Sequence, residues 1–314
     1  MRYLLLLLLA LPVQAQDLSL VRCSRDLFAA SGEHVWPGWS DAPFSLLLID
    51  GETEYLVCPP AGVKGFERAT RDEKLGCDVM TRKRVTNPNL LATYPAVGAE
   101  PTIVVGTPKI TGKSDAAWII TLLHEHFHQL QYSRPGYYAA ANKLGLSRGD
   151  ESGMWMLNYP FPYSDANVQQ RMTRLTNALA TALAARGATT FASALRDVKS
   201  RWRELRDSLD ADDYAYLMFQ IYQEGTARYV ELRVAEEVAE SGSGCMSREA
   251  AAEVATKLRA TIDASLANPR LAETQRVAFY SIGAAIAMLL DEVSPNWKRD
   301  YIARPFAVES YFAP

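Results

Sequence analysis

Apolar positions change their spacing along the chain near residue 107. Before that point they fall in short runs bounded by turn residues: Ser45-Leu46-Leu47-Leu48-Ile49-Asp50, Glu54-Tyr55-Leu56-Val57-Cys58 and Thr102-Ile103-Val104-Val105-Gly106. Runs of this length predict strands, and Asp50-Gly51 between the first two predicts a hairpin. Beyond that point the apolar residues recur at helical spacing. Ser114 can cap a helix that carries Asp115 in its first turn, runs through Trp118, Ile119, Leu122 and Leu123, and stops near Arg134-Pro135-Gly136. A loop rich in Pro and aromatics spans 154–163, and helical patterns cover 167–186, 191–209, 212–240, 247–266 and 271–293. Strands over 17–107 followed by helices predict an α+β chain.

The first residues form a separate unit. Arg2 precedes an apolar stretch over 4–13 that is too short to span a bilayer, and Val13 and Ala15 are small. This predicts a signal peptide, residues 1–15, cut after Ala15. The rest divides into a strand-rich part, 16–134, ending in the helix with the histidines, and a helical part, 135–314. No later segment of the sequence reads as a membrane span, so the mature chain is expected in the periplasm or secreted. Export changes the reading of the four cysteines, which then form two bridges. Cys58–Cys77 closes a short loop and is favoured, which leaves Cys23–Cys245. Hydrophobic residues make up 48%, charged residues 22%, and the net charge is -3. That suits a globular protein with a sizeable core and gives no electrostatic footprint for nucleic acid or an anionic membrane.

The candidate chemistry lies in His124-Glu125-His126-Phe127-His128, which holds three of the four histidines of the chain. Residues i and i+4 share one face of a helix, so His124 and His128 can reach one Zn2+ ion. Glu125 can then take a proton from water activated by the metal. His126 points to a different helix face and is read as support for the site or the core, not as a ligand. His34 is remote and is read as a surface or core residue. Two imidazoles leave a third protein ligand missing, and the shortage of histidine makes it a carboxylate. Glu224 is favoured, in Gln223-Glu224-Gly225-Thr226-Ala227-Arg228-Tyr229-Val230-Glu231, where Gly225 and Ala227 allow a close helix approach. Without the histidines it would read as a solvated helix carboxylate. Glu151 or Asp150, in a turn-rich segment, is the competing third ligand.

The segment from Glu224 to Glu231 resembles the second zinc motif of the aminopeptidase N-like family, a branch of the gluzincins. There the Glu of Glu-Gly-x-Ala is the third metal ligand. Tyr280-Ser281-Ile282-Gly283-Ala284 resembles the same family's Tyr-x-x-Gly-Ala segment, whose Tyr stabilises the oxyanion. The resemblance implies a zincin-like fold and a zinc metallopeptidase with His124, His128 and Glu224 as ligands, Glu125 as general base and Tyr280 as transition-state donor. It covers three short motifs. Glu224 lies 96 positions past His128, far beyond the family's usual separation, and the Gly-Ala-Met-Glu-Asn segment that binds a free amine is absent. Endopeptidase and aminopeptidase action therefore both stay open, with a peptide or protein as substrate. Arg228 stands where thermolysin-like relatives carry Asp, so another group must orient a ligand imidazole. The strand at 102–106 could run along the cleft. Trp155, Tyr159, Phe161 and Tyr163 either line that cleft or pack under their loop. The alternative function is a non-catalytic zinc-binding protein that retains the fold.

Overall fold

The computed structural model describes residues 17–312; the expected signal peptide, 1–15, and its cleavage point lie outside the described residues. Helix α1 (Ser19–Val35) leads into strands β1 (Leu46–Asp50), β2 (Thr53–Val57), β3 (Glu67–Asp72), β4 (Cys77–Lys83), β5 (Ala92–Tyr94) and β6 (Thr102–Gly106). Among the described residues these strands form one mixed sheet in the order β3-β4-β2-β1-β6-β5. β1 pairs parallel with β6, and the other neighbours are antiparallel. The chain is α+β, as the change of spacing predicts.

The continuous apolar runs of β1 and β6 follow from burial on both faces. Leu46, Leu48, Ile103 and Val105 point into the main core, under the helices. Leu47, Ile49, Leu56 and Val104 form a smaller cluster on the other face, packed with Val63, Phe66 and Met80. The hairpin at Asp50-Gly51 is present, with Gly51 at φ 56 in the left-handed conformation such turns require.

The helical part begins with the short α2 (Pro108–Thr111), then α3 (Asp115–Ser133). The Ser114 side chain caps α3 by accepting from the Ala117 N–H, as its sequence position predicts. There follow α4 (Tyr137–Lys143), α5 (Trp155–Asn158), α6 (Ala166–Ala184), α7 (Phe191–Arg206), α8 (Ala211–Gln220), α9 (Thr226–Ser241), α10 (Arg248–Ala267), α11 (Leu271–Thr274), α12 (Ala278–Val293) and α13 (Trp297–Ala303). No helix among the described residues is long and apolar enough to cross a membrane.

Three features differ from the sequence reading. The stretch read as strand-rich opens with α1, whose buried face includes Val21, Ser24, Leu27, Ser31 and Gly32. Small and polar residues on that face hide its helical period. Strand β6 does not border a cleft, because β5 pairs with it and forms the sheet edge. The pattern over 212–240 is not one regular helix: α8 and α9 are joined by a π turn at Ile221–Gly225.

Both disulfides match the expected pairing, Cys58–Cys77 and Cys23–Cys245. The second joins α1 to the loop after α9 across 222 positions. In the chain-entropy account, a loop of that length constrains the unfolded chain by about 5 kcal/mol. Such bridges fit an oxidising compartment.

Candidate metal centre

Helix α3 passes beneath the sheet edge and carries His124, Glu125 and His128, each about 5–6% exposed. Their ligating atoms all lie within 4.8 Å of one another, so the group could hold a metal ion. Glu224 comes to the same point from the π turn, with 16% of its side chain exposed. Nε2 of His124 and Nε2 of His128 are 3.1 Å apart. Glu224 Oε2 is 3.4 Å from the His128 atom and 3.7 Å from the His124 atom.

The protons on the two imidazoles follow from their other partners. Glu231 Oε2 lies 3.3 Å from His124 Nδ1, and a carboxylate can only accept, so His124 carries its proton on Nδ1. Gln131 donates through Nε2 to the carbonyls of Tyr222 and Gln223, which turns its Oε1 toward His128 Nδ1 at 2.6 Å. Gln223 Nε2 donates to the same Oε1 at 2.8 Å, and Tyr137 donates to Gln223 Oε1 at 2.7 Å. Held by these partners, both Nε2 atoms face each other and the Glu224 carboxylate oxygen. A triangle this tight needs positive charge within it, a proton or a metal cation. Ligand atoms ~2.0–2.1 Å from a tetrahedral ion sit about 3.3 Å apart, and the observed edges of 3.1, 3.4 and 3.7 Å bracket that value.

The electrostatics agree. Burial alone lowers an imidazole's affinity for a proton, but Glu224, Glu231 and Glu125 overcome it and raise the His124 pKa to about 9. Burial likewise opposes ionisation of Glu224, yet positive charge at His128 and the hydrogen bonds from both histidines hold its carboxyl well below the usual range.

Glu125 is anchored differently. Thr93, on the edge strand β5, donates to Glu125 Oε2 at 2.7 Å. One of its carboxylate oxygens still lies within 4.8 Å of the ligating atoms of both histidines. Tyr280, on α12, stacks on His124 with ring centroids 6.3 Å apart and planes 11° from parallel. Burial, then the charge of Glu224, raises its phenol well above the ordinary value.

The remaining expected residues are placed as follows. The stretch between His128 and Glu224 holds α4 to α8. The structure does not bring Asp150 or Glu151 to the histidines: Asp150 accepts from the Ser152 and Trp155 backbones, and Glu151 is exposed. His126 is buried against Phe28, Trp39 and Phe44. Burial, with Arg25 nearby, lowers its pKa to about 3, so it is a neutral core residue. His34 is exposed, 3.7 Å from Glu237. Trp155, Tyr159 and Phe161 are buried, with Tyr159 stacked on Tyr216 and Phe161 edge-on to Phe279. They pack under their loop.

Four contributors were invisible in the sequence pattern. Glu231 orients His124, the task for which Arg228 is unsuited, and Arg228 pairs with Glu231 at 2.7 Å. Gln131, one turn past His128, orients that ring. Thr93 holds Glu125. Arg276 reaches both Tyr280 and Glu224. The i, i+3 and i, i+4 offsets of Gln131 and Arg276 from known site residues are the signal that could have found two of them.

No protein-family model, curated protein or solved structure matches this chain. The likeness to gluzincins therefore rests on the residues above.

The π turn delivers Glu224 by a close backbone contact. Thr226 N–H bonds to Ile221 O, five residues back, and the widened turn presses against α12. A Cβ on Gly225 would lie 2.5 Å from the Cα of Gly283, and one on Gly283 would lie 2.5 Å from the Cα of Gly225. Only glycine allows these backbones to touch. Gly225→Ala is expected to part α12 from the turn and to lower stability by ~3 kcal/mol, the upper end for overpacking. Denaturant unfolding of the metal-free protein measures this, and an unchanged midpoint would refute the tight crossing.

Proposed function

We propose that this protein is an exported zinc-dependent peptidase with a zincin-like fold of the gluzincin type. The observation that carries the reading is the triangle of His124 Nε2, His128 Nε2 and Glu224 Oε2, with the Glu125 carboxylate held close by through Thr93. A purely structural zinc site needs no such base. A donor set of two imidazoles and one carboxylate is one that catalytic zinc sites use. Zinc supplies a Lewis acid there and lowers the pKa of water toward about 7.

The chain's own residues do the rest. Glu125 receives the proton of the attacking water and passes it to the leaving amine. Thr93 holds that carboxylate in place beside the histidines. Tyr280 donates its hydroxyl proton as a hydrogen bond to the developing oxyanion. Glu231 and Gln131 hold the two imidazoles by Nδ1, so that each Nε2, once deprotonated, would face the ion. Two disulfides suit a protein that works outside the reducing cytosol.

The test pairs metal analysis of the purified protein with hydrolysis of a quenched fluorescent peptide library. One zinc per chain and hydrolysis that is abolished by a chelator and restored by zinc are expected. A protein that holds one zinc and cleaves no peptide overturns the peptidase reading and leaves a zinc-binding protein with this fold.

A further inference from the structure

Arg276 has no place in the mechanism above, although its guanidinium faces the site. Its Nη1 donates to the Tyr280 hydroxyl oxygen at 3.0 Å and stands 3.8 Å from Glu224 Oε1. The side chain is 27% exposed. The two residues are four positions apart, across the junction between a 3-10 turn at Gln275–Val277 and α12. Just before Arg276, Gln275 has φ 48 and ψ -131, a backbone conformation rarely adopted by a residue with a side chain. Strain of this kind persists where the surroundings hold it, and it clusters at functional sites.

We propose that Arg276 is a positioning residue: it fixes the Tyr280 hydroxyl so that its proton is presented to the oxyanion of the peptide substrate. This rests on the peptidase reading above. A guanidinium has five donors and no acceptor. Arg276 therefore occupies a lone pair of the phenol oxygen and cannot take the phenol proton. The single O–H of Tyr280 must point elsewhere, and in this structure the Glu224 carboxylate is the acceptor within its reach. Donation from Arg276 also draws density from that oxygen and makes the O–H a stronger donor, as in any polarised hydrogen-bond chain. The ring cannot swing to another bearing easily, since it stacks on His124 and Arg228 lies 5.6 Å from its centroid.

The experiment is a double-mutant cycle on the zinc-loaded full-length protein, read by peptide hydrolysis and by affinity for a phosphinic peptide that mimics the tetrahedral state. Tyr280→Phe is expected to lower kcat ~100–1000-fold, as loss of one oxyanion donor does. Arg276→Ala is expected to lower kcat by about 10–100-fold with KM changed less than about twofold, the split of a group that acts only in the transition state. Zinc content should not change. In the Tyr280→Phe background Arg276→Ala should cost less than about twofold more, since the two act as one unit. Arg276→Lys, which keeps a donor, should recover part of the loss. Affinity for the phosphinic peptide should follow the same order. Losses that multiply in the double variant, or a fall in zinc content with Arg276→Ala or Arg276→Lys, overturn the positioning role. If Arg276→Ala fails to fold, Arg276→Lys alone and combined with Tyr280→Phe gives the same comparison. A wild-type protein without hydrolysis overturns the proposed function itself, whereas an active one with multiplying losses overturns only the role of Arg276.

Discussion

Glu125→Gln is expected to keep one zinc per chain and to lose peptide hydrolysis by ~1000-fold or more, within the range that a positioned general base and acid supplies. The geometry sets this expectation. Glu125 lies within ligand range of both imidazoles, so it competes with Glu224 for the role of third ligand. What separates them is their partners. Oε2 of Glu125 is taken up by Thr93 at 2.7 Å, while Oε2 of Glu224 is turned to both Nε2 atoms. Gln keeps the size of the side chain and can still accept from Thr93, so the fold and the zinc triangle survive. It cannot take a proton. Elemental analysis and kcat on the same preparation decide the matter. Turnover within tenfold of the parent would remove Glu125 from the reaction, and loss of the metal would make it a ligand.

Glu224→Gln is expected to give the opposite result. It removes the one charged member of the proposed ligand set and leaves a neutral amide against two imidazoles. Changes at groups that merely orient a ligand cost ~10–100-fold in metal affinity. Replacing the ligand itself should exceed that, and Glu231→Gln, which reaches the triangle only through His124 Nδ1 and otherwise pairs with Arg228, should fall within it. Competition of the metal-free protein with a chromophoric chelator measures all three affinities on one scale. Stoichiometric zinc retained by Glu224→Gln at near-parent affinity would return the third ligand to Glu125. A larger loss with Glu231→Gln than with Glu224→Gln would invert the order of the two spheres.

The parts of this protein legible in its sequence are those set by local spacing. The cap at Ser114, the helix it starts and the hairpin at Asp50-Gly51 obey short-range rules, and each is found where those rules put it. The pairing of Cys58 with Cys77 follows from proximity along the chain, and the other pair follows by elimination. Strands β3 and β4 were not legible because their alternation is filled with Arg, Glu, Asp and Lys, which carry little hydrophobic contrast. Helix α1 escaped because Ser24, Ser31 and Gly32 sit on its buried face. At the site, the metal helix was marked by residue type and offset. Thr93 and Glu231 were not, because their roles arise from which strand forms the sheet edge and how α9 lies against α3. Those are facts of tertiary packing, with no local trace.

The π turn at Ile221–Gly225 also bears on how this chain tolerates change in length. A π turn holds one residue more than the α-helical ladder would, so trimming one residue there would look harmless, a repair to regular geometry. It would instead turn α8 by about 100° against α9, because each α-helical residue accounts for that angle. Tyr216 and Gln220, which now hold the Met156 carbonyl, would leave it. The five residues act as a spacer that reconciles two faces at once: one fitted to the aromatic loop, the other to the histidines.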